Sequence, residues 1–97
     1  GKFLNLRLRG VKGNRSAIGA RVTVESGGRK QIDEVMSGSS FYSQNSFTLH
    51  FGLGTSAQAD RVVVRWPGGK TEIWQRLAAG QKCVLTEGLS VASCQGY

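Results

Sequence analysis

The chain has 97 residues, 39% of them hydrophobic and 20% charged, with 14 glycines and one proline. That composition belongs to an ordinary globular protein with one small core, since folding at this size removes only about two thirds of the extended chain's surface from water; it excludes a collagen-like repeat, a flexible linker and a disordered chain. Thirteen Lys and Arg against six Asp and Glu leave a formal charge of +7, which attracts polyanions through long-range fields but is not gathered into any block of like charge.

In chain order, FLNLRLRG alternates strictly, with Leu4, Leu6 and Leu8 on one side and Asn5, Arg7 and Arg9 on the other. This period of two is the mark of a strand with one buried face. Lys12 to Arg15 reads as a turn or loop. ARVTVES then sets Val22 and Val24 against Arg21, Thr23 and Glu25, and Gly27-Gly28 supplies the positive φ of a tight hairpin before a return strand from Arg29 to about Met36. Ser37 to Ser46 is rich in turn formers and reads as a structured loop.

Phe47, Leu49 and Phe51 alternate with Thr48 and His50 in a further strand closed by Gly52 and Gly54. RVVVRW from Arg61 puts Val62, Val64 and Trp66 on one face. Pro67-Gly68-Gly69 breaks it, and Lys70 to Trp74 forms its hairpin partner. QRLAAG is at most one helical turn, and a final strand runs from about Lys82 to Glu87. About seven short strands with Gly-rich turns predict an all-β fold, a small antiparallel β-sandwich or barrel. The expected core is Leu4, Leu6, Leu8, Val22, Val24, Phe47, Leu49, Phe51, Val62, Val64, Trp66, Ile73 and Leu85.

Cys83 and Cys94 lie too far apart for a CxxC pair and lack the further Cys or His of a zinc site. A disulfide is the simplest use, tethering a tail (residues 90–97) to the body of the domain (residues 1–89); two unrelated thiols are the alternative. No apolar run approaches the ~18 residues of a membrane span, and no signal-peptide apolar region opens the chain. Beginning at Gly1 without a methionine, the sequence reads as a processed product or an excised domain.

The blocks GARVTV, SGSxxxSQ (Ser37 to Gln44), HFGLG and VxVRWPxG follow one another in an order that resembles the ASPIC/UnbV domain, from about Asn5 to Glu87. That module sits near the C-terminus of secreted, cartilage acidic protein-like proteins, usually behind a β-propeller of FG-GAP/VCBS repeats. The resemblance implies an extracellular and non-enzymatic role, while some bacterial relatives belong to biosynthetic gene clusters. Calcium is expected in the propeller, whose Asp-rich loops are absent here, so no propeller-dependent function carries over. The sequence departs from the family pattern at Phe41, where many members show tyrosine or leucine beside a glycine.

No catalytic, metal-binding or cofactor-binding residue is expected. His50 is the only histidine and reads as a surface or structural residue, because a Ser-His pair needs an orienting carboxylate and an oxyanion hole that no spacing provides. Asp33 and Glu34 are adjacent and face opposite ways on a strand. The glycines match no phosphate loop. The segment of Ser37, Ser39, Ser40, Phe41, Tyr42, Ser43 and Gln44 combines hydroxyls, an amide and two rings, a set able to hydrogen-bond and stack a sugar or peptide, or equally to satisfy its own backbone.

Three functions follow as expectations. The first is an interaction or structural module with a protein partner. The second is a self-assembling subunit of an extracellular filament or homo-oligomer, in which the strand Phe3 to Arg9 completes a neighbour's sheet. The third is weak binding of a polyanion, acidic polysaccharide or nucleic acid, through cations such as Arg7 and Arg9 with Tyr42, Trp74 and Tyr97 as the available stacking rings; a merely solvated basic surface is the alternative to that.

Overall fold

The computed structural model describes residues 1–11, 17–35 and 48–96. Eight strands form two four-stranded sheets: β1 (Lys2–Arg9), β2 (Arg21–Ser26), β3 (Arg29–Glu34), β4 (Thr48–Gly54), β5 (Gln58–Arg65), β6 (Thr71–Ala78), β7 (Gln81–Thr86) and β8 (Ser93–Gly96). Strand order is β4-β1-β7-β8 in one sheet and β3-β2-β5-β6 in the other. The sheets face each other as an open sandwich, not a closed barrel. Phe47 and the loop of Ser37 to Gln44 lie outside the described residues.

Alternation dictates which side of each strand is buried. Leu4, Leu6 and Leu8 of β1, Leu49, Phe51 and Leu53 of β4, and Cys83 and Leu85 of β7 line the inner face of the first sheet. Val22 and Val24 of β2, Val62 and Val64 of β5, and Trp66 just beyond β5 answer from the second. Each fully buried aliphatic or aromatic side chain contributes roughly 1.5–3 kcal/mol, so this layer is what holds the two sheets together. The indole Nε1 atoms of Trp66 and Trp74 are buried with no hydrogen-bond partner among the described residues.

The β2–β3 hairpin turns at Gly27 and Gly28, with φ of 55° and 80°. Both are left-handed, as a two-residue turn of this kind requires. A Cβ on Gly27 would stand 2.7 Å from Ser56 Oγ, and the Gly27 amide donates to Asp60 Oδ2 at 3.1 Å. The glycine therefore seats the hairpin against the start of β5 as well as turning it.

Four findings correct the sequence reading. β1 is an interior strand, antiparallel to β4 and parallel to β7 (Leu6↔Leu49 and Leu6↔Cys83), so its backbone ladder is occupied on both sides and is not an open edge for a neighbour. QRLAAG is no helical turn: β6 continues as a strand to Ala78. Residues 93–96 are a strand as well, paired with β7. The fourth correction concerns phase in β6. Ile73 is 51% exposed whereas Trp74 is buried, which removes Ile73 from the core and Trp74 from the available stacking rings.

The reason for that phase lies across the ladder. Val62 pairs with Trp74 and Ala59 with Leu77, so inward positions on both strands are three residues apart, with Asp60-Arg61 and Gln75-Arg76 exposed between them. Arg76 has φ of 58°, a left-handed conformation that costs an ordinary residue roughly 1–2 kcal/mol. The kink turns the strand so that Trp74 and Leu77 both face the interior.

The sheets are also tied at their margins. Gln31 Nε2 of β3 donates to the Gly52 carbonyl of β4 at 2.6 Å, and the Gly88 amide donates to Glu72 Oε1 of β6 at 2.9 Å. Cys83 and Cys94, directly opposite each other in the β7–β8 ladder, form a disulfide.

Leu6→Ala or Val64→Ala should destabilise the domain by about 1–5 kcal/mol, with Leu6→Ala the costlier, and Ile73→Ala should stay within about 0.5 kcal/mol, as read by urea unfolding. Equal costs at Val64 and Ile73 would contradict the assigned phase. Reduction of Cys83–Cys94 should cost about 2–3 kcal/mol, because the bond closes a loop of only eleven positions; an unchanged midpoint after reduction would contradict a structural role for it.

Candidate ligand-binding faces

Turning the leucines of β1 inward necessarily turns Asn5, Arg7 and Arg9 outward. Register then fixes their neighbours. Asn5 stands between His50 of β4 and Lys82 of β7, with Gln95 of β8 beyond Lys82. Arg7 stands between Thr48 and Val84, with Ser93 beyond, and Arg9 lies beside Thr86. With strands spaced about 4.8 Å apart and alternate residues about 6.6 Å apart, Arg7 and Lys82 are diagonal neighbours about 8 Å apart at the backbone.

This outward face therefore holds Arg7, Arg9, Lys82 and His50 among amides and hydroxyls. No Asp or Glu occupies an outward position on any of its four strands. Glu87, just past β7, is engaged at the rim, where its Oε1 accepts from the Val11 amide at 3.2 Å.

The outward face of the second sheet is different. Arg61 donates through Nε and Nη2 to Glu25 Oε2 at 3.1 and 2.8 Å, and Arg21 lies 3.6 Å from Glu34. Between these charged rows runs an apolar rung, Ile32, Thr23, Val63 and Ile73, one residue from each strand. The basic residues that look evenly scattered in the sequence thus include two, Arg21 and Arg61, paired with acids on one face, while those of the other face stand among no acids.

His50 is exposed. Its Nδ1 donates to Asn5 Oδ1, and its ring stacks on Phe3 with centroids 5.4 Å apart and planes inclined by 22°. Neither a carboxylate nor a serine shares a hydrogen bond with it among the described residues, so its observed partners orient the ring without activating a nucleophile. The described residues contain no group of three or more His, Cys, Asp or Glu side chains able to hold a metal ion. No helix among them is long and apolar enough to cross a membrane.

Of the residues singled out by sequence, Arg7 and Arg9 come together with Lys82 and His50 on one face, while Ser37, Ser39, Ser40, Phe41, Tyr42, Ser43 and Gln44, like Tyr97, are not among the described residues. Sequence reasoning missed a groove of about 630 Å³ between the open side of β6 and residues 90–92. Its one sequence signal is the pair Leu89 and Val91, apolar residues in a polar tail; they are 57% and 77% exposed.

The class is thus a small disulfide-bonded β-sandwich whose two outward faces differ in charge. Residues 10–92 match the family model described as ASPIC and UnbV. The chain belongs to the ASPIC and UnbV family. No curated protein and no solved structure matches it at a significant level.

Proposed function

We propose that this domain is a non-catalytic interaction module working outside the cell, and that the outward face of the β4-β1-β7-β8 sheet is its binding surface for polyanionic chains such as acidic polysaccharide. The observation that carries this reading is the charge asymmetry between the sheets. Arg7, Arg9 and Lys82 share a face without a single outward carboxylate, whereas Arg21 and Arg61 are matched with Glu34 and Glu25. Unmatched cations on a rigid sheet attract and position a linear anion without prior reorganisation. The disulfide supports the location, since such bonds persist in oxidising compartments.

Polysaccharide is favoured over single-stranded nucleic acid by the ring inventory. Binding of single strands relies on exposed rings interleaved with cations, and among the described residues this face offers the half-buried Phe3 already stacked on His50. Trp74, the ring that sequence offered for stacking, is buried on the other sheet.

The test compares two double variants with the same change in net charge, Arg7→Glu with Lys82→Glu and Arg21→Glu with Arg65→Glu, by calorimetric titration with heparin at several salt concentrations. The first pair should lose about tenfold in affinity or more, about 1.4 kcal/mol, and flatten the salt dependence by about one unit for each cation removed. The second pair should lose far less. Equal losses would show that binding follows net charge alone and would overturn the assignment to this face.

A further inference from the structure

A second surface, separate from the basic face, has features of a peptide-docking groove. β6 is an outer strand of its sheet and pairs only with β5 among the described residues. Along its open side runs the groove of about 630 Å³, one wall formed by the consecutive residues Ile73 to Ala78 and the other by Ser90 to Ala92. That volume is typical of clefts that hold a ligand. The tie from the Gly88 amide to Glu72 and the Cys83–Cys94 disulfide anchor the second wall at both ends.

The groove's chemistry narrows what fits. Val91 at 77% and Ile73 at 51% exposure place apolar surface on both walls of the groove. Trp74 lines the groove and its buried indole N–H has no partner among the described residues. Arg76 lines it too, held in a left-handed conformation with its side chain exposed. No carboxylate lies within ion-pair distance of Arg76 among the described residues. An open strand edge takes an extended segment by main-chain pairing, apolar walls select apolar side chains, and an unmatched guanidinium selects a carboxylate.

We infer that the groove between β6 and residues 90–92 docks an extended, apolar segment of a partner protein that carries an acidic residue opposite Arg76. A second copy of this chain is the poorer occupant, because each copy carries a formal charge of +7 and the approach of two copies is repulsive.

The probe is a blocked heptapeptide, Thr-Val-Glu-Val-Thr-Val-Ser, and its counterpart with Gln in place of Glu, titrated into the 15N-labelled domain. Expected are amide shifts confined to residues 73–78 and 90–92 together with the Trp74 indole resonance, and binding about 3- to 10-fold weaker for the Gln peptide, the range of about 0.7–1.4 kcal/mol. Arg76→Gln should weaken the Glu peptide to the same level and abolish the difference between peptides, and Val91→Asp, at an exposed position that leaves the melting temperature unchanged, should abolish binding. No shifts at millimolar peptide, or equal binding of both peptides to the wild-type domain, would overturn the inference. Shifts confined to Phe3, Arg7 and Lys82 would overturn it while supporting the basic face, and self-association through residues 73–78 in sedimentation would show that a second copy is the occupant instead.

Discussion

The structure depends on β1 lying in the middle of its sheet. Leu6 is paired with Leu49 on one side and with Cys83 on the other, so one strand near the start of the sequence joins β4 to the β7–β8 hairpin near its end. Its three leucines are buried and form the centre of the surface on which the valines of β2 and β5 pack. The parallel pairing with β7 follows from the path of the chain: it leaves the first sheet for β2 and β3, returns as β4, leaves again for β5 and β6, and comes back as β7 in the direction of β1. Parallel strands need such a long crossover, where antiparallel ones need only a turn. Because β1 and β7 pair across most of the length of the sequence (Leu6 with Cys83), burial in the shared sheet and not local propensity holds that pair together.

Interior placement of β1 also decides what its outward residues can do. On an edge strand, Arg7 and Arg9 would serve chiefly to deter pairing with another chain. In the centre of a sheet they have no such task, and they are flanked by Thr48, Val84 and Thr86 without an acid among them. On the other sheet charged rows at Arg21 and Arg61 are matched across the strands with Glu34 and Glu25. The two faces therefore differ through composition, the strands of the first sheet containing no Asp or Glu, and through register, which brings Arg21 and Arg61 opposite Glu34 and Glu25 on the second.

That distinction marks how far the sequence could be read. The side-chain phase of β1, β2 and β5 was legible because each alternates between unmistakably apolar and polar residues. In β6 the adjacent Ile73 and Trp74 leave either phase open, and the choice is made by Val62 across the ladder and by the kink at Arg76. Neither is visible in a stretch of eight residues. The disulfide was accessible from the cysteine count, but the strand at residues 93–96 was not: all four of its residues are exposed, so no buried face imprints alternation on it, and its order comes from pairing with β7 and from the bond itself. Of the candidate site, Arg7 and Arg9 were legible as outward cations. Lys82 and His50 joined them only once the register of three strands was known.

The two margins of the sandwich complete the picture, and they are closed by different means. On the β3–β4 side a side-chain amide satisfies an edge carbonyl directly, Gln31 Nε2 reaching Gly52 O. The β3 strand there carries Arg29, Lys30, Asp33 and Glu34, a charged sequence that disfavours further pairing. On the β6–β8 side the carboxylate of Glu72 reaches over to the turn after β7, leaving a gap flanked by exposed Ile73 and Val91. Burying those two side chains would gain about 25 cal/mol for each Å² of apolar surface removed from water. Filling that gap with the chain's own residues would require the segment after β7 to close upon β6, and the β7–β8 pairing opposes it by holding that segment to the other sheet. The β7–β8 pairing and its disulfide thus hold the end of the chain to the first sheet, and Ile73 and Val91 stay exposed on either side of the gap.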